Sequence, residues 1–319
     1  MKQYEVVVLG AGPGGYQTAL EFGKLGARTP LIDKSKEKVG GVCLNLGCVP
    51  TKNYLESAVL VSRLEHFKSS GLRLDYNGLN LGTLKEKTSA LITEIRGGVL
   101  WMKKPLRSTE RLLVSKAIVG AGAIACEFAT FFNAFGVNVS LIGRSSQLLP
   151  SEDEDVSKAL TRVFKRSGIN VMTSATVANM DMHDGGVSLS LNESEEKIEC
   201  ELVLSATGRI PNCDKLNLEK TGVKRDERGF IEISPSFKTS QDNVYAIGDV
   251  VNTPAFAHTA YAEAKIVAKN ILSSESNANS HLTPSTIFTI PQIASCGLKE
   301  KDAKEQGIEV EVSKAYYKA

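Results

Sequence analysis

The chain has 319 residues, 42% of them hydrophobic and 23% charged, with a formal net charge of +2. That length accommodates two domains and part of a third, and the balance is that of a globular protein rather than a disordered one. The near-neutral charge and an aromatic content of only 6% speak against nucleic acid or a membrane surface as a partner.

The N-terminus does not read as a secretory leader, because Glu5 interrupts it and Val6-Val7-Val8-Leu9 is too short an apolar core. No apolar run is long enough to span a bilayer, so a cytoplasmic location is expected. Six cysteines in a reducing compartment do not imply a structural disulfide framework. Cys126, Cys200, Cys213 and Cys296 are scattered and read as small buried apolar side chains. Cys43 and Cys48 stand close together and call for a redox or metal explanation.

Tyr4 to Leu9 reads as a buried strand. Gly10-Ala11-Gly12-Pro13-Gly14-Gly15 follows, then a helix over Tyr16 to Leu25, a stop at Gly26, and a second strand over Arg28 to Ile32 ending at Asp33. Strand, glycine turn, helix, strand and acid together form a dinucleotide-binding signature, which a glycine pattern alone would not. Gly10 permits the tight turn, Gly12 lets a pyrophosphate approach the backbone, and Gly15 lets helix pack on strand. The helix start offers free N–H groups to phosphate, and Asp33 an acceptor for ribose hydroxyls.

Next comes Gly40-Gly41-Val42-Cys43-Leu44-Asn45-Leu46-Gly47-Cys48-Val49-Pro50-Thr51-Lys52. Zinc would need two further ligands. The single nearby candidate, His66, reads as a solvated surface residue on a charged helical stretch, so no metal is expected. A reducible disulfide suits the pair better. With a helix starting near Cys48, Lys52 falls one turn later, and both features favour thiolate.

A second copy of the nucleotide unit begins at Ala117-Ile118-Val119, with turn Gly120-Ala121-Gly122-Ala123-Ile124-Ala125, helix Cys126 to Phe135, stop Gly136 and strand Val137 to Ile142. Gly10 to Gly26 and Gly120 to Gly136 are equal intervals. The interval from Gly10 to Asp33, counted from Gly120, lands on Gly143 rather than on an acid. Two such units imply two nucleotides. A carboxylate at that place would bind the 2′-hydroxyl of NAD, a bond of roughly 1.5–3 kcal/mol. Arg144-Ser145-Ser146 instead offers charge and donors to a 2′-phosphate, which favours NADP over NAD; the competing reading makes Arg144 a solvated residue.

Further along, Glu154 to Ser167 reads as an amphipathic helix with Val156, Leu160, Val163 and Phe164 on one face. Strands are predicted at Ile169 to Met172, Val187 to Leu191, Cys200 to Ala206 and Val244 to Asp249, with a hairpin turn at His183-Asp184-Gly185-Gly186. A helix follows over Thr259 to Leu272, and Ser273 to Ser280 is a polar linker.

The cysteine stretch resembles the active-site segment of the FAD-dependent pyridine nucleotide–disulfide oxidoreductases, and within them is most similar to the dihydrolipoamide dehydrogenases. Other signatures stand in family order over nearly the whole chain: the two glycine turns, Glu127-Phe128-Ala129, Ala206-Thr207-Gly208-Arg209 and Tyr245-Ala246-Ile247-Gly248-Asp249-Val250. The resemblance implies an α/β fold with two Rossmann-like, three-layer nucleotide-binding domains and the start of an α+β interface domain. It divides the chain into an FAD-binding domain at 1–116, an NAD(P)-binding domain at 117–237, a return segment of the FAD domain at 238–282 and the beginning of a dimerisation domain at 283–319.

The resemblance also implies roles. Cys48 faces the flavin, Cys43 exchanges with substrate, and Lys52 sits near the flavin and pairs with Glu127. Gly10, Gly12, Pro13, Gly14, Gly15, Asp33, Lys34, Gly41, Val42, Lys52, Asp249 and the Ala255-Phe256-Ala257-His258 segment contact FAD. Gly120, Gly122, Ile124, Glu127, Gly143, Arg144, Val177 and Gly208 line the path of NAD or NADP. The implied activity passes electrons between a dithiol such as dihydrolipoamide, the Cys43–Cys48 disulfide, FAD and NAD(P). The implied partners are a lipoyl-bearing protein or a small disulfide and, at full length, a second copy of the chain.

Three departures qualify this. The link between the two nucleotide motifs, around Lys104 to Lys116, is shorter than in the family by several tens of residues, including an earlier Ala-Thr-Gly segment that contacts FAD. The interface domain has barely begun by Ala319, without the family's His–Glu acid/base pair, and His281 is not a substitute; Ile287, Phe288, Ile290 and Ile293 are therefore expected to be poorly covered. Gly143-Arg144 is closer to NADPH-using relatives such as glutathione or mercuric reductases. The alternatives are accordingly an NADPH-dependent disulfide or metal reductase, or a non-catalytic nucleotide-binding fragment, and impaired turnover is expected of this chain by itself. A peroxide- or oxygen-reducing relative with a single cysteine fits the paired cysteines poorly.

Overall fold

The computed structural model describes residues 4–73, 76, 78–100, 115–192, 197–273 and 282–316. The short link near Lys104, the polar linker after Ser273 and His281 lie outside the described residues, as does the side chain of His66.

In chain order the first elements are β1 (Val8–Leu9), α1 (Pro13–Lys24), β2 (Leu31–Ile32), α2 (Gly41–Asn45), α3 (Cys48–Ser62), α4 (Leu64–Ser69) and α5 (Leu81–Leu100). Then come β3 (Ser115–Val119), α6 (Ala123–Ala134), β4 (Asn138–Ile142), α7 (Glu154–Arg166), β5 (Asn170–Met172), β6 (Val177–His183), β7 (Gly186–Leu191), β8 (Lys197–Cys200) and β9 (Leu202–Ser205). The last are α8 (Ala257–Ser273), β10 (Ser285–Ile287), β11 (Ile293–Ser295) and α9 (Glu300–Glu305). The described residues group into two units. One is drawn from Met1–Glu56, Asn80–Arg111 and Arg209–Thr283, the other from Ser57–Leu79, Leu112–Gly208 and Pro284–Ala319.

The second unit is the more regular. Its parallel sheet has the order β5-β4-β3-β9, so β3 is bonded on both sides. Alternation along each strand divides the side chains between two faces. Ile118 and Leu141 join Ala125 and Ala129 of α6 and Leu160 and Phe164 of α7 in one core. Ala117 and Ile142 face the other way, onto Leu189, Leu191 and Cys200 of the antiparallel β6-β7-β8 meander. Helices, parallel sheet and meander thus form three layers. The meander turns at His183–Gly186, as predicted.

Four expectations are corrected. Cys200 to Ala206 is not one strand: β8 ends at Cys200 in the meander and β9 starts at Leu202 in the parallel sheet. Val244 to Asp249 is not a strand beyond one bridge between Lys238 and Tyr245. Gly248 has φ +72° and donates its N–H to Glu263 Oε2 at 2.7 Å, which bends the chain into a 3-10 turn over Gly248–Val250. Ile287 is buried at 3% exposure and, with Ile293, packs on the core of the second unit, so this segment is covered rather than bare. Cys126, Cys200 and Cys213 are buried as expected, but Cys296 is exposed.

In the first unit β1 pairs in parallel with β2. The predicted strand over Tyr4 to Leu9 shrinks to two residues, Val8 buried and Leu9 60% exposed. Among the described residues β1 is bonded on one side, where β3 is bonded on two, and a strand with one partner has fewer bonds to hold its ends. Helix α1 lies against α8: a Cβ on Gly14 would stand 3.1 Å from Ile247 Cδ1 and 3.5 Å from Ala260 Cβ. Phe237, Ile266 and Val267 fill the core beside α8.

Glycine matters differently along these elements. Gly120 has φ +142°, and a Cβ there would lie 2.3 Å from the backbone oxygen of Ala206. Gly120→Ala is expected to destabilise the second unit by ~2–4 kcal/mol. Gly23, inside α1 with nothing within 4 Å of its would-be Cβ, is expected to gain ~0.5–1 kcal/mol as Gly23→Ala. Thermal melting of the two variants checks the pair, and equal melting temperatures would contradict it.

Candidate active site

The cysteine segment is seated by glycines. Gly40 and Gly41 have φ +94° and +63°. Gly40 N–H donates to Ala11 O at 2.8 Å, and a Cβ on Gly41 would stand 2.8 Å from Gly12 Cα. Only bare backbone brings the start of α2 this close to the first glycine turn. Asn45 then locks the segment, donating from Nδ2 to Lys38 O, Val39 O and Gly41 O at 3.1, 3.1 and 2.7 Å, while its Oδ1 accepts from Arg96 Nη2. Leu44 is buried beneath.

Cys43 lies within α2 and Cys48 is the first residue of α3. Both are free thiols and share a hydrogen bond. That bond from Cys43 is the largest influence drawing the Cys48 thiol down to about 6. Burial opposes it; the backbone N–H at the helix start and the charges of Lys52 and Arg209 add to it. Cys43 moves the opposite way, raised by the bond to Cys48, by burial, and by the charges of Cys48 and Asp249. The pair is therefore asymmetric, with the negative charge resting on Cys48. Cys48, Val49, Lys52, Asn53 and Leu91 line a shallow, solvent-open depression of about 310 Å³.

Asp249 and Arg209 form an ion pair at 2.9 Å, and Arg209 Nη2 also donates to Ala255 O at 3.4 Å. Arg209 lies in a quoted motif, yet its link to Asp249 is legible only in three dimensions. Phe256 and His258 stack with centroids 5.2 Å apart. Among the described residues the buried Oγ1 atoms of Thr253 and Thr259 and Glu263 Oε1 have no hydrogen-bond partner, which marks this neighbourhood as one suited to a polar ligand or ordered water.

Around the first glycine turn, α1 starts at Gly12 with no side-chain cap, and nothing lies within 4 Å of a Cβ on Gly12. Gly15 packs so tightly that a Cβ would stand 1.7 Å from Gly10 O. Asp33 is held at the end of β2, Oδ2 accepting from Ala11 N at 2.7 Å and Oδ1 from Ser35 N at 3.1 Å. Lys34 follows it, and Val42 is exposed on α2.

The second unit repeats the arrangement. Helix α6 starts uncapped at Gly122, with Ile124 exposed in its first turn. Glu127 is buried at 5% exposure, and its Oε1 accepts from Phe288 N at 3.0 Å. Gly143 is buried, Arg144 exposed, Val177 opens β6, and Gly208 follows β9 with φ +137°. A Cβ on Gly143 would meet Ala121 Cβ at 2.7 Å, so an acid at this position has no room without movement of the turn.

The chain matches the model of the pyridine nucleotide-disulphide oxidoreductases over residues 4–104 and 69–264, and the model of that family's dimerisation domain over residues 283–319. It belongs to the pyridine nucleotide-disulphide oxidoreductase family. Dihydrolipoyl dehydrogenase of Chlamydia trachomatis is 31% identical, covering 99% of this chain and 80% of that protein. Dihydrolipoyl dehydrogenase of Thermus scotoductus is 30% identical, covering 100% of this chain and 81% of its own length. The Chlamydia alignment runs over 377 positions, more than the 319 residues of this chain, so the relative carries internal residues without a counterpart here. The HOCl-induced flavoprotein disulfide reductase RclA of Escherichia coli, in its Cu(II) complex, shares the fold with a TM-score of 0.81 at 21% identity, covering 94% of this chain and 79% of that one. The family architecture is that of a flavoprotein disulfide oxidoreductase working with FAD, NAD(P) and a cysteine pair. Among the described residues no helix is long and apolar enough to cross a membrane.

The asymmetry of the thiols is directly measurable. In the reduced protein, alkylation of Cys48 by iodoacetamide is expected to rise with pH through a midpoint near about 6, leaving roughly nine-tenths of it thiolate at neutral pH. Cys43 should react only at pH above the ordinary thiol range. Lys52→Met should move the Cys48 midpoint upward, because a positive charge that favours thiolate is gone. Peptide mass spectrometry resolves the two sites, and coincident midpoints would contradict the assignment.

Proposed function

We propose that the chain is a dithiol–disulfide oxidoreductase that exchanges electrons between dihydrolipoamide, the Cys43–Cys48 pair, FAD and NADP. The observation that carries this reading is the thiol pair itself, with Cys48 at the start of α3 and drawn down to about 6 while Cys43 is pushed up. A substrate thiolate attacks Cys43 and Cys48 departs readily as thiolate, because a low thiol pKa makes a good leaving group. The resemblance to dihydrolipoyl dehydrogenases supports a lipoyl group as the dithiol, on a lipoyl-bearing protein, and the match to the dimerisation model supports a homodimer; a cytoplasmic location accords with this chemistry.

The residues present fit FAD. The uncapped start of α1 and the open space over Gly12 suit a pyrophosphate, with Gly10, Pro13, Gly14 and Gly15 shaping the turn. Asp33 and Lys34 suit the adenosine ribose. Gly41, Val42, Lys52, Asp249 and Ala255 to His258 suit the ribitol and ring system. FAD, when bound, supplies a two-electron carrier between nicotinamide and sulfur. Lys52 and Arg209 hold the Cys48 charge steady meanwhile. In the second unit Gly120, Gly122, Ile124, Glu127, Gly143, Arg144, Val177 and Gly208 are the proposed nicotinamide-nucleotide residues. The tight fit of Gly143 on Ala121 and the exposed Arg144 beside it favour a 2′-phosphate. The same observation favours the second reading, an NADPH-driven disulfide or metal reductase of the glutathione or mercuric reductase kind.

Turnover of dihydrolipoamide with NADP and with NAD, compared with NADPH-dependent reduction of glutathione disulfide, separates the readings. Dihydrolipoamide with NADP is the expected favoured pair, and Arg144→Ala should erode the NADP preference by ~10-fold. Equal or better turnover with NAD overturns the role of Arg144. Faster glutathione disulfide reduction overturns the lipoyl substrate, and no turnover of any pair by FAD-loaded protein makes the chain a non-catalytic module.

A further inference from the structure

The five residues of α2 are too few to hold a helix by themselves. Across it Leu44 N–H donates to Gly40 O at 3.3 Å and Leu46 N–H to Val42 O at 2.9 Å. Much of its remaining hold passes through one amide. Asn45 Nδ2 spreads its N–H groups over the carbonyl oxygens of Lys38, Val39 and Gly41, at 3.1, 3.1 and 2.7 Å. Those carbonyls belong to the end of a 3-10 turn over Lys36–Lys38, to the residue after it and to the first residue of α2. A primary amide can turn over and exchange its oxygen for its nitrogen. Here that would aim an oxygen at the carbonyl oxygens. Arg96 opposes the same flip from the other side, because a guanidinium offers donors alone and its Nη2 meets Oδ1. Arg96 comes from α5, 51 residues away in sequence. Its Nε is buried and has no hydrogen-bond partner among the described residues. Placing the cation here therefore costs free energy, against which the bond to Asn45 is set. Asn45 stands between the cysteines in sequence, and Cys43, within the helix it ties down, shares a hydrogen bond with Cys48.

We propose that Arg96 is a positioning residue for the thiol pair: its bond to Asn45 Oδ1 fixes the amide in the one orientation that ties α2 to Lys38, Val39 and Gly41, and this holds Cys43 within hydrogen-bonding reach of Cys48. Arg96 acts through Asn45, and Asn45 acts through the backbone of α2. With Arg96 replaced by an uncharged side chain, Oδ1 loses its charged donor and the amide is free to swing to water. The helix then frays from the carbonyls it was tied to, and the Cys43 thiol moves off Cys48. Cys48 loses the hydrogen bond that does most to favour its thiolate. The backbone N–H at the start of α3 and the charges of Lys52 and Arg209 remain on Cys48, and Asp249 acts on Cys43, so the thiolate is weakened rather than abolished. The consequence for turnover rests on the proposed exchange, in which Cys48 departs as thiolate; the tie from Arg96 to the thiol pair does not.

The test is the alkylation midpoint of Cys48 in the reduced protein, read with iodoacetamide and peptide mass spectrometry. Arg96→Met is expected to raise it by about one pH unit, which is ~10-fold slower alkylation at a fixed pH below it. Asn45→Ala should raise it as much or more, and the double variant no further than Asn45→Ala alone. In Cys43→Ala protein, where Cys48 has no neighbouring thiol, Arg96→Met should leave the midpoint in place. An unchanged or lowered midpoint in Arg96→Met overturns the proposal. A shift that adds to that of Asn45→Ala, or that persists in Cys43→Ala protein, overturns it too, because the Arg96 charge would then act on the sulfur directly. If either variant melts early, the other carries the test, with hydrogen exchange at the Leu44 and Leu46 amides as its second readout. Faster exchange there supports the tie, and an unchanged rate overturns it. Thiol counting before and after dihydrolipoamide is added to the oxidised protein tests the exchange separately. A shifted midpoint without exchange sustains the role of Arg96 and overturns only the lipoyl substrate.

Discussion

The candidate site depends on two glycines meeting. Gly41 backs onto Gly12 so closely that a Cβ would stand 2.8 Å from the Gly12 Cα, and no side chain could occupy the space between them. This contact lays the cysteine segment over the start of α1 and brings a turn built for phosphate next to a pair of thiols. Asn45, bonded to three carbonyls and to Arg96, keeps α2 short. The chain then restarts as α3 with Cys48 as its first residue. The asymmetry of the sulfurs follows: the hydrogen bond from Cys43 does most to favour thiolate on Cys48, and the backbone N–H at the start of α3 and the charges of Lys52 and Arg209 add to it.

The two nucleotide units show how far a shared local pattern reaches. Both have strand, glycine turn, helix, stop and strand at matching intervals, and both helices start uncapped on a glycine. Their sheets differ. Strand β3 is flanked by β4 and β9, and the turn at Gly120 is pressed against Ala206 O. Strand β1 is bonded to β2, and nothing lies within 4 Å of a Cβ on Gly10. The glycine pattern specifies a turn, while the number of strands beside it is specified elsewhere in the chain.

The segment after residue 283 makes a related point. Its run of Ile287, Phe288, Ile290 and Ile293 looks poorly covered when read along the chain alone. In the fold, β10 and β11 pair, Ile287 and Ile293 join the core of the second unit, and the Phe288 N–H finds the buried Glu127 carboxylate. Ion pairs from Lys299 to Glu152 and from Lys314 to Asp155 tie the following residues to the same unit. Burial was settled by a neighbour distant in sequence.

The amino-acid sequence alone determined the two glycine turns, their helices, the parallel strands that follow them, the helix over Glu154 to Arg166 and the paired cysteines with a lysine one turn on. These are local: spacing, glycine placement and periodicity decide them within a few residues. Tertiary structure alone decided what depends on a distant partner. It divided Cys200 to Ala206 between two sheets, turned Gly248 on the buried Glu263, paired Arg209 with Asp249 and covered Ile287. It also brought Tyr261 to Tyr16 and gave the thiolate to Cys48 rather than Cys43. Arg209 and Asp249, or Tyr16 and Tyr261, share no local window of sequence, and even for the neighbouring cysteines it is chain folding rather than chain order that sets the surroundings of each sulfur.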